Sequence, residues 1–160
     1  MPLFVRSDDD SARVTFPPPF IYLCLLLLGL LADWLLGLEL PLDWPVRIAG
    51  LVLLGGAGLA VGLPANERFR RVGTDVRPWK SSSAFVADGV YRFTRNPMYL
   101  GMALIYAGLA MTFASVAGLA LLPVLLLIVQ TQVIAREERY LEGKFGEDYR
   151  RYKASVRRWL

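Results

Sequence analysis

Four long stretches almost free of charge divide this chain, and they restrict it to one kind of fold. They run roughly from Phe20 to Leu38, broken only by Asp33, from Val46 to Leu63, from Pro97 to Phe113 and from Ser115 to Ala135. A helix rises about 1.5 Å per residue and needs about 20 apolar residues to cross ~30 Å of hydrocarbon. All four stretches approach that length, the third least closely. Lipid offers no partner to backbone N–H and C=O groups, so helices, which satisfy their own, are the expected form. At 160 residues the chain is long enough for one domain, and it is 55% hydrophobic, only 20% charged, with a mean hydropathy of +0.42. The expected fold is all-α: a polytopic membrane bundle of about four transmembrane helices over residues 20–160, with spans near 20–38, 46–63, 97–113 and 115–135. A cytosolic N-terminal tail over residues 1–19 precedes it, of which Met1–Thr15 reads as mobile. A cytosolic tail over 136–160 follows.

Orientation follows from the basic residues. Arg68, Arg70, Arg71, Arg77, Lys80, Arg92 and Arg95 lie between the second and third spans, and Arg136, Arg139, Lys144, Arg150, Arg151, Lys153, Arg157 and Arg158 follow the fourth. The connection between the third and fourth spans has no charge, and that between the first and second opens with Glu39 and Asp43. Both termini are therefore expected in the cytosol of a multi-pass protein of the plasma (inner) membrane, with the last two spans forming a tight hairpin. The net charge of +4 flanks apolar runs, which points to anionic membrane lipids and away from nucleic acid.

Composition excludes several chemistries. There is no histidine, so no His general base, no Ser–His or Cys–His pair and no His-ligated metal. The one cysteine, Cys24, sits in an apolar run and can form neither an internal disulfide nor a Cys-x-x-Cys site. No metal site is expected. The N-terminus carries Asp8, Asp9 and Asp10 and does not read as a cleaved signal. The glycines Gly55, Gly56, Gly58 and Gly62 follow no strand; small residues four apart on a membrane helix let another helix come close. A nucleoside cofactor, if bound, is not held by a Rossmann loop.

Two cytosolic clusters carry candidate chemistry. In the first, Asn96 suits an N-cap and Pro97 the first helical position, so the third span should begin there. Its free N–H groups would face the cytosol, ready for an anion, with Arg95 beside them. A well-capped membrane helix explains these residues but not Tyr99 and Gly101 one turn in, where leucine would suit lipid better. The second cluster is Arg136-Glu137-Glu138-Arg139. Adjacent acids at a membrane edge are costly unless solvated or paired. One of them turned inward would hold a cation, and the hairpin brings it to the same face as the start of the third span. A ligand carrying both an ammonium and a carboxylate fits that pairing. Beyond it, Leu141, Phe145, Tyr149, Tyr152, Val156 and Trp159 recur at steps of three or four, one face of an amphipathic helix at the headgroups that Gly143 and Gly146 bend and that can roof a site.

The run Gly89-Val90-Tyr91, then Arg95-Asn96-Pro97-Met98-Tyr99-Leu100-Gly101, Glu137-Glu138, and Phe145-Gly146-Glu147-Asp148-Tyr149 to Tyr152 with Arg157-Arg158-Trp159 resembles the superfamily of isoprenylcysteine carboxyl methyltransferases and phospholipid N-methyltransferases. The resemblance covers roughly Arg71 to Leu160. It implies a methyltransferase that uses S-adenosylmethionine and a lipophilic methyl acceptor. It places cofactor contacts on Ser83, Ala84, Phe85, Val86, Tyr91, Asn96, Pro97, Met98, Tyr99 and Glu137, to which the reading above adds Arg95, Gly101 and Glu138. Glu137, Glu138 and Tyr99 are the candidates for a catalytic role. Asn96 stands where the carboxyl methyltransferases carry histidine, a change that leans toward the phospholipid branch. Val133 stands where they carry a substrate-binding arginine, with Arg136 one turn later, which argues against a prenylcysteine acceptor. An NADPH-dependent membrane reductase of related fold and a non-enzymatic accessory protein are the competing readings. Oligomeric state is not legible.

Overall fold

The computed structural model describes residues 8–14 and 16–160. Its elements are α1 (Pro18–Leu36), α2 (Trp44–Gly50), α3 (Gly56–Val72), α4 (Pro97–Thr112), α5 (Val116–Val129) and α6 (Ala135–Ser155). A π-helical turn at Leu51–Gly55 joins α2 to α3, and another at Gln130–Ile134 joins α5 to α6. Two long rods result, Trp44–Val72 and Val116–Ser155, and with α1 they are long and apolar enough to cross a membrane; α4 is a shorter apolar helix. No strand occurs among the described residues. The protein is a multi-pass membrane helical bundle.

Each expected span has its helix, but the second and fourth run on. Hydropathy marks only the part that lies in lipid, and polar residues of good helix propensity carry the rods beyond it, to Val72 and Ser155. The part of the last rod beyond Ala135 is charged and lies outside the apolar span. Its bend falls at Gly146, whose φ of 54° and ψ of −124° a side chain would resist.

Close helix contacts explain the small residues. A Cβ at Gly29 would sit 2.6 Å from Gly118 Cα, welding α1 to α5, and one at Gly58 would sit 2.5 Å from the Gly101 carbonyl, welding α3 to α4. Asp33, the single acid inside the first span, is buried where α5 begins. It accepts the Ala117 N–H at 2.9 Å and the Ser115 hydroxyl, whose oxygen accepts the Gly118 N–H at 2.9 Å. The carboxylate thus caps the first turn of α5, a region with orphan donors. Leu23, Leu27, Leu28, Leu31 and Leu35 point outward, as a lipid-facing surface requires.

The N-terminal stretch departs from its reading as a mobile tail. Met1–Ser7 and Thr15 lie outside the described residues, but Ala12 and Val14 are buried, and the Asp8 N–H donates to the Trp79 carbonyl at 2.9 Å. Residues 8–14 form a packed strap.

Candidate active site

Helix α4 starts at Pro97, as its sequence predicts, but Asn96 caps nothing with its side chain. Its amide Nδ2 instead donates to the Arg158 carbonyl at 2.9 Å. The same returning segment accepts from Thr94 Oγ1 at 3.1 Å and, through the Arg157 carbonyl, from the Arg95 N–H at 3.0 Å. Trp159 Nε1 donates to Gln130 Oε1 at 2.9 Å, on the π-helical turn. The residues after α6 therefore fold back and clamp the entry to α4 against the last rod.

That clamp brings the two clusters together. Tyr99 Oη donates to Glu137 Oε1 at 2.7 Å, so the first turn of α4 meets the first turn of α6. The tyrosine is itself fixed from the other side, its carbonyl accepting the Tyr22 hydroxyl at 2.9 Å. Glu138 pairs instead with Arg95 at 2.9 Å and Arg158 at 2.6 Å; its side chain is 6% exposed. Two neighbouring acids thus have different fates. Glu138 is committed to two arginines, whereas Glu137 has one neutral partner and faces a cavity.

The cavity lies where α4, α6, the loop after α3 and the strap converge. Of the thirteen residues predicted to contact a cofactor, ten line it: Ala84, Phe85, Val86, Tyr91, Arg95, Asn96, Met98, Tyr99, Glu137 and Glu138. The other three lie elsewhere. Pro97 is buried in the first turn of α4. Ser83 ties the loop to the end of α3, its N–H donating to Thr74 Oγ1 at 3.0 Å. Gly101 faces α3, where a Cβ would sit 2.7 Å from the Gly58 carbonyl, so its smallness serves helix packing. Tyr149, Tyr152, Leu141 and Tyr140 of α6 complete the wall. The three-and-four spacing of Leu141, Tyr149 and Tyr152 was legible as a face able to roof a site; Tyr140 lies outside that pattern. Phe69, the loop 75–82 and Ala12 carried no such signal.

Phe85 packs edge-on against Phe145 and Tyr149, with ring centroids 5.3 and 5.6 Å apart, and pins the loop to α6. Tyr152 Oη donates to the Tyr91 carbonyl at 2.8 Å. Two buried polar atoms in this region, Tyr91 Oη and Arg95 Nε, have no partner. Burial pushes the Glu137 carboxyl up to about 7; the nearby Glu138 charge adds to the rise and the Tyr99 hydroxyl opposes it. Burial likewise raises the Tyr91, Tyr149 and Tyr152 hydroxyls, so all three stay protonated at neutral pH.

A second, apolar cleft opens between α3, α4 and the start of α1, lined by Gly58, Leu59, Gly62, Leu63, Met102 and Ile105 among others. It shares Met98, Tyr99 and residues 76–78 with the first cavity.

Comparison with known proteins places the chain in a family. A family model described as phospholipid methyltransferase matches residues 46–148. A Haemophilus influenzae protein described as uncharacterized is 52% identical over 64 residues, 39% of this chain and all of that protein. A protein-S-isoprenylcysteine O-methyltransferase of Schizosaccharomyces pombe is 32% identical over 71 residues, 44% of this chain and 30% of that enzyme, so the match spans less than a third of the enzyme's length. No solved structure matches.

Proposed function

The chain belongs to the phospholipid methyltransferase family, and from that premise we propose that it transfers a methyl group from S-adenosylmethionine to a lipophilic or amphipathic acceptor at the cytosolic face of its membrane. Both termini then lie in the cytosol and the membrane is the plasma (inner) membrane, in keeping with the basic loop and tail. The observation that carries the reading is the meeting of Tyr99 and Glu137 at 2.7 Å inside a cavity walled by aromatic rings.

The donor set suits the cofactor. A sulfonium that also bears an ammonium and a carboxylate asks for a negative group, a positive group and ring faces in one dry pocket. Glu137 is the carboxylate that has a neutral partner and no arginine or lysine, and Arg95 Nε and Tyr91 Oη are buried donors without acceptors. Phe85, Tyr149 and Tyr152 offer faces that attract a cation. S-adenosylmethionine, when bound, supplies an electrophilic methyl carbon. The chain's own contribution is alignment and exclusion of water, and holding reacting groups in line is worth about 7–11 kcal/mol in favourable cases. Glu137, with its carboxyl near neutrality, is also the group able to take a proton from an amine or thiol acceptor. Glu138, held by two arginines, positions Arg95. The apolar cleft between α3 and α4 supports entry of an acyl or isoprenoid chain sideways from lipid to Tyr99.

Calorimetry with S-adenosylhomocysteine on detergent-solubilised protein tests the reading. Charge-assisted hydrogen bonds are worth about 1.5–3 kcal/mol, so Glu137→Ala and Tyr99→Ala should each weaken binding roughly tenfold or more. Undiminished binding in both variants places the site elsewhere. Labelled S-adenosylmethionine incubated with a total lipid extract then identifies the acceptor.

A further inference from the structure

The cytosolic wall of the cavity is made partly by the chain's own strap. Ala12 lines it, and Val14 is 1% exposed. Two carboxylates hold the strap down. Asp8 accepts from Lys80 Nζ at 3.1 Å and from the Ser81 N–H at 3.3 Å. Asp10 accepts from the Ser81 hydroxyl at 2.8 Å and from the Lys144 ammonium, which holds its carboxyl below the usual range. Lys144 donates in turn to Ser81 Oγ at 2.9 Å and to Tyr140 Oη at 3.0 Å. The fastening thus joins the strap, the loop that reaches the cavity and helix α6.

Three features make this fastening a releasable one. The Asp8 and Asp10 side chains are 42% and 61% exposed, and ion pairs that open to water are weak and screened by salt. Two ammonium groups, a backbone N–H and a hydroxyl converge on the carboxylates, a donor set that suits a phosphate equally well. Pro78 and Trp79, next to Lys80, line the apolar cleft together with Pro18 and Pro19, where α1 begins, so the fastening lies beside the end of a membrane-spanning helix, within reach of lipid headgroups. The cavity beneath the strap is small, about 80 Å³, where sites for ligands of drug size hold roughly 300–1,000 Å³, so lifting the strap would enlarge it.

We propose that residues 8–14 are a lid on the cavity, latched by Asp8 and Asp10 onto Lys80 and Lys144, and that the phosphates of anionic lipids open it by taking those lysines. Opening is thereby coupled to the surface that supplies the acceptor. The proposal rests on the cavity being the cofactor site.

Trypsin reads the lid directly, since Arg13 is exposed while the following Val14 is buried. The bond between them fits a protease only once the strap has lifted. The protein is placed in nanodiscs of phosphatidylcholine alone or with phosphatidylglycerol, and cleavage that leaves Val14 as a new N-terminus is followed by mass spectrometry. Anionic discs should speed that cleavage at least about threefold, and Asp8→Asn/Asp10→Asn should be cleaved fast in both kinds of disc. Equal rates for the unaltered protein in the two discs, or slow cleavage of the double variant, overturns the proposal. Inorganic phosphate at matched ionic strength should do no more than chloride; if it matches the anionic discs, the membrane surface is not the trigger and the lipid part fails. S-adenosylhomocysteine should change the cleavage rate in zwitterionic discs. If it does not bind at all while the disc and variant effects hold, the lid stands and the cofactor reading is what has failed.

Discussion

Glu137 and Glu138 share a helical turn and differ in everything that matters chemically. Glu138 has two arginines, and removing it would leave both facing a buried vacancy. Breaking one side of such a buried pair costs about 3–5 kcal/mol, so Glu138→Ala should lower the thermal unfolding midpoint markedly in detergent. Glu137 behaves differently. Its carboxyl, raised to about 7 by burial, is largely protonated at pH 6, and only its ionised form attracts a cation. Affinity for S-adenosylhomocysteine, whose ammonium would face it, should therefore rise about fivefold from pH 6 to pH 7 and level off above pH 8. Glu137→Gln should flatten that profile. Tyr99→Phe, which removes the hydrogen bond that favours the carboxylate, should move the midpoint to higher pH. Titration calorimetry across this range checks all three.

At the scale of elements, the helices were legible because lipid imposes one requirement, an uninterrupted apolar run, and that can be read from composition alone. The glycine reading for the second span held at Gly58, which meets Gly101 where two backbones touch, while a Cβ at Gly56 or Gly62 would meet nothing within 4 Å. Gly101→Ala should cost about 1–3 kcal/mol in unfolding experiments, while Gly56→Ala, which meets nothing within 4 Å, should be near neutral apart from helix propensity. Asp33 is a contrasting case. An acid in an apolar run announces a partner but not which one, and only the packing of α1 on α5 identifies the capped turn. Asp33→Ala should cost about 0.5–2 kcal/mol. Nor could the sequence show that Asn96 would tether a distant carbonyl instead of capping its own helix. A cap is local chemistry, and the competitor, residue 158, lies 62 positions away.

For the whole molecule, the tight hairpin of α4 and α5 brings the start of one helix to the end of the other, and this was readable from the uncharged connection. The closing pieces were not. The strap has no periodicity, and Val156 and Trp159, whose spacing reads as a continuation of the amphipathic face, lie beyond the helix end at Ser155, where Val156 is extended with φ −125° and ψ 135°; both pieces are held by side chains from remote parts of the chain. Their importance is testable. Deleting residues 156–160 removes Arg158 from Glu138 and frees Thr94, Asn96 and the Arg95 N–H. Membrane insertion should be unaffected, because the apolar helices α1 to α5 lie upstream, while cofactor affinity should fall at least tenfold by calorimetry. The return of Arg158 also sets an order of events during synthesis. All the apolar helices can enter the bilayer while the ribosome is still at work, but the pocket lacks one of the two arginines on Glu138 until residue 158 has emerged. A nascent chain is therefore anchored in the bilayer before the pairing of Glu138 with both arginines is complete.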